Sequence, residues 1–186
     1  MSVVLVIALA AYPLLVYGTL ARFGPSSAAA LLAGVCLARL VVLKLRTPAP
    51  LGGTYLTLIC SGGLVLAAAS FWLEESGAVL YYPVLVNAAL LVVFAASLAS
   101  PQSAIERIAR LRDPELPPAA VAYTRRVTIV WSVFFTLNGA AALYTALYTT
   151  LETWALYNGL IAYVLIGTVF AVELAIRTAV KARLER

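Results

Sequence analysis

Long apolar runs separated by short polar or proline-containing links occupy almost the whole chain. An α-helix needs about 20 apolar residues to cross the hydrocarbon core of a bilayer, and most of these runs reach or approach that length. The pattern predicts an all-α membrane protein with six transmembrane helices, forming a single domain over residues 1–186. The predicted spans are residues 3–20, 28–43, 52–73, 80–99, 127–147 and 155–176. The first two are the shortest, and a hairpin that does not fully cross stays open as the alternative for them.

The fifth predicted span is the clearest. Residues 127–147 carry no formal charge over 21 residues, and at about 1.5 Å per residue they cover the roughly 30 Å of hydrocarbon. Arg125 and Arg126 come directly before this run. The sequence therefore predicts a helix that enters the membrane from its positively charged end.

A second kind of helix is predicted between the fourth and fifth spans. Ser100 and Pro101 have the residue types of an N-cap and a first helical position, and Ser103 with Glu106 has the spacing of a capping box. Asp113-Pro114 and Pro117-Pro118 end the pattern, because proline lacks the backbone donor that a helix requires.

The same segment is amphipathic. Ile105, Ile108 and Leu111 recur every three residues, which places them on one face of a helix. Arginines lie on the other positions, as in helices that rest on an anionic membrane surface. We therefore expect a short cytoplasmic interfacial helix at residues 101–112. Its arginines are Arg107, Arg110 and Arg112.

Composition supports the membrane assignment and narrows the chemistry. The chain is 63% hydrophobic and 11% charged, with a mean hydropathy of +0.99, which is too apolar for one soluble core. It has no histidine, which removes the usual general base and the commonest metal ligand. Cys36 and Cys60 are far apart in apolar segments and fit neither a metal pattern nor a disulfide framework. We expect them to be packing residues, and we expect no metal, cofactor or prosthetic group.

The distribution of basic residues predicts the topology. The links at 44–51 and 100–126 and the tail at 177–186, together with nearby Arg39, hold twelve of the 13 basic residues. Only Arg22 lies on the other side, so the positive-inside rule puts both termini in the cytoplasm. The pI of 9.4 does not indicate nucleic-acid binding, since these charges lie where topology requires them.

Three asparagines in or near the spans are the main polar candidates. Rise per residue puts Asn87 and Asn138 at similar depths, so they can either hydrogen-bond between helices or line a polar pocket that opens outward. Such a pocket would hold a lipid headgroup or a lipid-linked precursor. The candidate lipid-binding or ligand-binding residues of this region are Asn87, Trp131, Asn138, Tyr144, Tyr157 and Asn158.

Charged residues supply further candidates. Arg39 and Glu173 lie near the cytoplasmic ends of their spans, where Glu173 can pair with Arg177 on its own helix or with Arg39 across the bundle. Ser61-Gly62-Gly63 lets another helix approach closely, which makes this face a candidate homodimer contact. Attraction to anionic lipid is expected of the cytoplasmic arginines Arg107, Arg110, Arg125 and Arg126.

Two family resemblances follow from short motifs in the second half. The chain resembles the intracellular septation protein A family of bacterial inner-membrane proteins in Pro101 to Arg112, Glu115-Leu116-Pro117, Trp131-x-x-Phe134-Phe135-x-Leu137-x-Gly139, Tyr144-x-Ala146 and Trp154 to Asn158. It is also similar to a group of small membrane proteins encoded among genes for aryl-polyene and unusual fatty-acid synthesis, in YYPVLVN, YTRRVTIVW, FFTLNG and LYNGLIAY. The resemblance implies an inner-membrane, envelope-linked role and no catalytic residue.

The sequence thus favours a non-enzymatic inner-membrane protein of cell-envelope biogenesis that binds membrane lipid, or a partner envelope protein, through helices four to six. One alternative is a small subunit of a transporter or flippase for lipids or polyene-lipids, which needs a polar cavity reaching past Asn87 and Asn138. The second is a lipid-modifying enzyme at the outer face. Its acid or base would be one of Glu74, Glu75 and Glu152.

Overall fold

The computed structural model describes residues 12–23, 25–45, 53–72 and 77–184, and these residues form helices and short links without any strand. Nine α-helices and one π-helical turn succeed one another in this part of the chain. They are α1 Tyr12–Phe23, α2 Pro25–Leu45, α3 Gly53–Trp72, α4 Gly77–Leu80, α5 Tyr82–Leu98, α6 Ala104–Arg110, α7 Pro118–Tyr148, α8 Leu151–Leu156, the π turn Tyr157–Ile161 and α9 Ala162–Leu184.

In the part of the chain that the structure describes, three helical stretches are long and apolar enough to cross a membrane: Ala78–Leu98, Pro118–Tyr148 and Leu151–Thr178. They match the fourth predicted span to within one residue at its end and contain the fifth and sixth. Shorter apolar stretches, Ser27–Val41 and Cys60–Ser70, lie in α2 and α3 and overlap the second and third predicted spans. Residues 3–11, half of the first predicted span, lie outside the described residues. The all-helical membrane class is therefore confirmed.

The helices share two apolar clusters. One joins α2, α3, α4 and α8, and it includes the fully buried side chains of Leu32, Val79 and Trp154. The indole Nε1 of Trp154 donates to the carbonyl of Leu80 at 3.1 Å, next to the turn at Tyr81 that separates α4 from α5. This bond ties the end of α4 to α8.

The second cluster lies between α5 and α7, which pack along one another. Trp131 and Phe135 are its buried centre, and the Phe94 ring meets the Phe135 ring edge-on with centroids 5.2 Å apart. Trp131 also contacts the ring of Phe170 on α9, with centroids 6.0 Å apart. Aromatic side chains thus bring the last three long helices together.

Two differences between the observed and predicted helix boundaries affect the position of candidate residues. The start at Ser100-Pro101 is wrong: α6 begins at Ala104, and its N-cap is Ser103, whose Oγ accepts from the N–H of Glu106. The N–H of Ser100 instead donates to the carbonyl of Ser97, which continues the last turn of α5. The capping-box position of Ser103 is confirmed.

The second difference concerns α7. It begins at Pro118, where the missing N–H of proline costs nothing in a first turn, and runs for 31 residues. Arg125 and Arg126 therefore lie inside the helix, two turns from its start, rather than ahead of it. The residues with the greatest functional interest lie on or beside this long helix.

Candidate functional site

Asn87 of α5 and Asn138 of α7 meet side chain to side chain. Nδ2 of Asn138 donates to Oδ1 of Asn87 at 3.0 Å, and Nδ2 of Asn87 donates to the carbonyl of Pro83 at 2.8 Å. The two residues are only 8% and 6% exposed. The prediction that they lie at one depth is confirmed, and their amides satisfy one another in an apolar setting where an unpaired amide is costly.

Gly139 explains how the two helices come close enough for this bond. A Cβ atom placed on Gly139 would lie 3.1 Å from the Cβ of Asn87, which is tighter than ordinary packing allows. The absence of a side chain at this position therefore lets Asn87 approach the α7 backbone. The amide of Asn138 thus forms the bond to Asn87, and the adjacent Gly139 leaves the space that this bond requires.

The π turn extends the network to a third helix. The hydroxyl of Tyr157 donates to Oδ1 of Asn138 at 3.0 Å, and Nδ2 of Asn158 donates to Oγ1 of Thr145 at 3.2 Å and to the carbonyl of Trp154 at 2.9 Å. Consecutive side chains diverge by about 100° in a helix of 3.6 residues per turn, and the wider π turn reduces that angle. The turn thereby directs two neighbouring polar side chains at α7.

These contacts agree with the first alternative for the asparagines, a hydrogen bond between helices. Asn138 uses its Nδ2 on Asn87 and its Oδ1 on Tyr157. A cavity of about 360 Å³ lies elsewhere, between α3 and α5. It is apolar and open to the outside of the bundle. Its lining residues are Gly62, Val65, Leu66, Tyr81, Val84 and Leu85.

Two candidate residues lie outside the network. Tyr144 is 60% exposed, and its ring packs beside that of Tyr148 with centroids 5.4 Å apart. Trp131 belongs to the aromatic cluster with Phe134 and Phe135. The structure therefore groups Asn87, Asn138, Tyr157 and Asn158, and separates Tyr144 and Trp131 from them.

At the other end of α7, helix α6 is fastened to its neighbours by polar contacts. The N–H of Ala104 donates to Oγ of Ser97 at 2.8 Å, and the N–H of Ile105 donates to Oγ1 of Thr128 at 3.3 Å. Glu106 is 3% exposed and accepts from Nε of Arg110 at 2.9 Å. The first turn of α6 is thus held against α5 and α7 by groups that have little access to solvent.

The arginines of residues 100–126 divide into two groups. Three of them bond protein carbonyls: Nε of Arg107 to Gln102 at 3.2 Å, Nη1 of Arg110 to Pro114 at 2.7 Å, and Nη2 of Arg125 to Leu98 at 2.7 Å. Since Leu98 is the last residue of α5, Arg125 satisfies a carbonyl left free at a helix end. These three side chains stabilise the segment between α5 and α7.

Arg112 and Arg126 form the second group. Both are exposed, and within the described ranges neither makes a side-chain hydrogen bond or an ion pair. Ile108 and Leu111, which are 57% and 72% exposed, precede Arg112 in the chain, and Arg126 lies two residues before Thr128, which receives the N–H of Ile105. We call Ile108, Leu111, Arg112 and Arg126 the apolar-cationic surface. Of the arginines proposed for lipid contact, the structure leaves Arg126 free and occupies Arg107, Arg110 and Arg125.

The expected ion pairs of Glu173 are not found. Its Oε1 accepts from the hydroxyl of Tyr123 at 3.3 Å, and its backbone carbonyl accepts from the same hydroxyl at 3.2 Å. Among the described side chains, Glu173 forms no ion pair with either Arg39 or Arg177. The reason is position: Arg39 lies beside Cys60 between α2 and α3, whereas Glu173 faces α7.

Gly62 and Gly63 are in close contact with other helices of the same chain. A Cβ on Gly62 would lie 2.6 Å from Cδ2 of Leu85, and one on Gly63 would lie 2.7 Å from Sγ of Cys36. The predicted close approach of a helix at Gly62-Gly63 is confirmed. The approaching residues belong to α5 and α2 of the same chain.

A stripe of hydroxyls on α7 was missed from the sequence. Thr128, Ser132 and Thr136 each donate to the carbonyl four residues earlier at 2.9 Å. Thr128 is fully buried and also receives the N–H of Ile105. The four-residue spacing from Thr124 to Thr136 was the available signal, because it marks one polar face on an otherwise apolar helix.

The three glutamates proposed for an outer-face enzyme lie either outside the described residues or on the surface. Glu74 and Glu75 lie outside the described residues. Glu152 is exposed in the first turn of α8, next to the N-cap Thr150. In the residues that can be described, no group of three or more His, Cys, Asp or Glu is arranged to hold a metal ion.

Comparison of the chain with protein-family models, with curated proteins and with solved structures gave no match. The functional argument therefore depends on the polar network, on the apolar-cationic surface and on the motifs themselves.

Proposed function

We propose that this chain is a non-enzymatic protein of the bacterial inner membrane, crossing it six times with both termini in the cytoplasm, and that it binds anionic membrane lipid in the service of cell-envelope biogenesis. The apolar-cationic surface is the observation that carries the proposal. It is formed by the segment between two long apolar helices together with the second turn of the following helix, where the cytoplasmic leaflet would be.

The surface has the two parts that an interfacial helix needs. Ile108 and Leu111 supply apolar side chains for the boundary between headgroups and acyl chains, and Arg112 and Arg126 supply charge. A basic side chain near an anionic leaflet contributes about 1 kcal/mol of attraction. The short helix that presents Ile108 is held by Ser97 and Thr128, so lipid contact at this surface would be transmitted directly to α5 and α7.

A binding protein fits the interior better than a transporter subunit. A transport path past Asn87 and Asn138 would need an open polar space, and these residues are instead bonded to each other and to Tyr157. A bundle with a hydrogen-bonded interior and a lipid-binding surface at one end is consistent with the asparagine contacts and with the apolar-cationic surface. Helices four to six of the sequence prediction, now α5, α7 and α8 to α9, form the body to which lipid or a partner envelope protein would bind.

Native mass spectrometry of the mildly extracted full chain tests lipid binding. We expect the wild type to retain phosphatidylglycerol or cardiolipin, and Arg112→Gln with Arg126→Gln to reduce the retained copies at least threefold. Arg22→Gln is the matched control, because Arg22 is equally exposed and lies on the opposite side in the predicted topology. Equal retention by the double variant and the wild type would contradict the proposal. The same spectra report whether the protein is a homodimer.

The envelope role is supported by the resemblance in Pro101 to Arg112 and in the α7 motifs, and it needs a test in cells. We expect deletion of the gene in its bacterial host to increase envelope permeability or to alter septation. The wild-type gene should restore the phenotype, and the Arg112→Gln, Arg126→Gln variant should fail to do so at equal membrane abundance. Full rescue by that variant would separate the envelope role from lipid binding.

A further inference from the structure

Two thiols that are distant in sequence lie together between α2 and α3. Cys36 and Cys60 are 1% and 4% exposed and both are free, and the sulfur of Cys36 lies against Gly63, one turn after Cys60 on α3. Their sequence separation gave no metal pattern, but antiparallel packing of the two helices brings them side by side. Two free sulfur atoms therefore share one buried position.

Gly63 makes room for this pair. A Cβ on Gly63 would lie 2.7 Å from Sγ of Cys36 and 3.0 Å from Cε2 of Tyr82, so any larger residue would displace the sulfur or the ring. The sulfur of Cys36 thus lies against the α3 backbone at Gly63, with the Tyr82 ring close to the same position.

Arg39 gives the site its charge. It lies three residues after Cys36, on the same face of α2, and its field acts on Cys60 and on Tyr82. It is 7% exposed, and its Nε is buried without a hydrogen-bond partner. A guanidinium is positively charged in proteins, so this site places a buried positive charge beside two thiol groups, at a cost in free energy. Among the side chains that the structure describes, no carboxylate pairs with it.

The positive charge of Arg39 favours a metal–thiolate complex with a net negative charge. Two thiolates with a divalent ion are neutral and leave Arg39 uncompensated, whereas two thiolates with a monovalent ion carry one negative charge, which Arg39 balances. Thiolates are soft ligands and prefer soft ions such as Cu(I). Zinc normally takes four ligands, and the described part of the chain has no cluster of even three suitable side chains.

We propose that Cys36 and Cys60 form a buried two-coordinate site for a soft monovalent metal ion of the Cu(I) class, with Arg39 as its charge-balancing neighbour. Binding breaks two S–H bonds and forms two S–Cu bonds, both protons leave to solvent, and the copper stays Cu(I). The bound ion cross-links α2 to α3. This site is separate from the apolar-cationic surface, and it stands whether or not lipid binding is confirmed.

Anaerobic titration of the purified full chain in detergent tests the site, with the Cu(I)–bicinchoninate complex as the metal source. We expect one equivalent of Cu(I) to transfer, with an ultraviolet thiolate-to-copper charge-transfer band. Cys36→Ser and Cys60→Ser should each abolish the transfer. Arg39→Gln should weaken binding at least tenfold and Arg39→Lys less, because lysine keeps the charge. Gly34→Ala is the matched control, since nothing lies within 4 Å of a Cβ at that position of α2.

Three results would overturn the proposal: no transfer to the wild type, full transfer to both serine variants, or an isolated protein two hydrogens lighter because the thiols have formed a disulfide. X-ray absorption of the wild-type complex gives a result that does not depend on any variant folding. We expect two sulfur neighbours around the copper. A coordination sphere dominated by nitrogen or oxygen would also refute the site.

Discussion

Asn138 donates its side-chain amide to the side-chain oxygen of Asn87 at 3.0 Å, across the interface of α5 and α7. Apolar side chains alone would let these helices slide along one another, because the surrounding lipid is as apolar as they are. An amide pair at one depth removes that freedom, since a shift of one turn leaves both amides without a partner. Tyr157 bonds the same asparagine and extends the alignment to the last helical segment.

A double-mutant cycle measures the Asn87–Asn138 bond. We expect Asn87→Ala and Asn138→Ala to couple by about 0.6 kcal/mol, and by at most about 1.7 kcal/mol, the range found for hydrogen bonds between membrane helices. The measurement is reversible unfolding in mixed micelles. Thr168→Ala is the control, because the Thr168 hydroxyl bonds only the carbonyl of Val164 in its own helix. Zero coupling between the asparagines would refute their role in alignment.

Serine replacements locate the start of α6. Ser103→Ala removes the N-cap that accepts from Glu106, and such a loss costs about 1 kcal/mol. We expect faster tryptic cleavage after Arg107 and Arg110 in this variant. Ser100→Ala should leave the cleavage rate unchanged, because the Ser100 hydroxyl bonds back to Ala96 in the preceding helix. If Ser100→Ala were cleaved faster than Ser103→Ala, Ser100 and not Ser103 would be the cap.

Glycine replacements separate crowded positions from open ones. Gly63→Ala pushes against Cys36 and Tyr82, and crowding in a packed interior costs about 1–3 kcal/mol. Gly167→Ala meets nothing within 4 Å and gains about 1 kcal/mol of helix propensity. Thermal unfolding in detergent should therefore move the two midpoints in opposite directions. A stabilising Gly63→Ala change would show that α2 does not pack against α3 at this level.

The partner of Glu173 is open to a direct test. Tyr123→Phe removes the hydroxyl that Glu173 accepts from, and we expect it to be non-additive with Glu173→Leu, because both break the same bond. Arg39→Gln should be additive with Glu173→Leu to within about 0.5 kcal/mol, since the two residues share no contact. Unfolding free energies of the three single variants and the two double variants provide the comparison. Strong coupling to Arg39 would bring back the interhelical ion pair.

Labelling from either side checks the topology. In a Cys36→Ser, Cys60→Ser background, we expect Glu115→Cys to be blocked from a membrane-impermeant maleimide in intact cells and Glu152→Cys to react. Both parent positions are exposed on the protein, so a difference between them reports the side of the membrane. Reaction of Glu115→Cys in intact cells would invert the assignment. The interpretation of the apolar-cationic surface would then have to change.

The parts of this structure that could be predicted from the sequence depend on local or periodic properties. The apolar runs predicted helices, the Ser103–Glu106 spacing predicted a cap, and rise per residue matched the depths of Asn87 and Asn138. Each of these follows from distances along one helix. The bounds of α7 were less accurate, because the run without charge begins well after the helix does.

Properties that depend on neighbouring helices could not be predicted in the same way. Nothing local distinguishes Arg125, which bonds the carbonyl of Leu98, from Arg126, which bonds no described residue. The same holds for Cys36 and Cys60, whose meeting depends on how α2 and α3 are aligned. Arg39 and Glu173 have opposite charges and similar depths, but they lie on faces that do not meet.

The bond from Trp154 to Leu80 has a consequence for biosynthesis. The turn at Tyr81 interrupts a helix, and the indole of Trp154 donates to the carbonyl of the residue just before it. The two partners are 74 positions apart, so a growing chain has made the interruption long before it has made the donor. The earlier helices therefore cannot reach their final packing until the segment that contains Trp154 has left the ribosome.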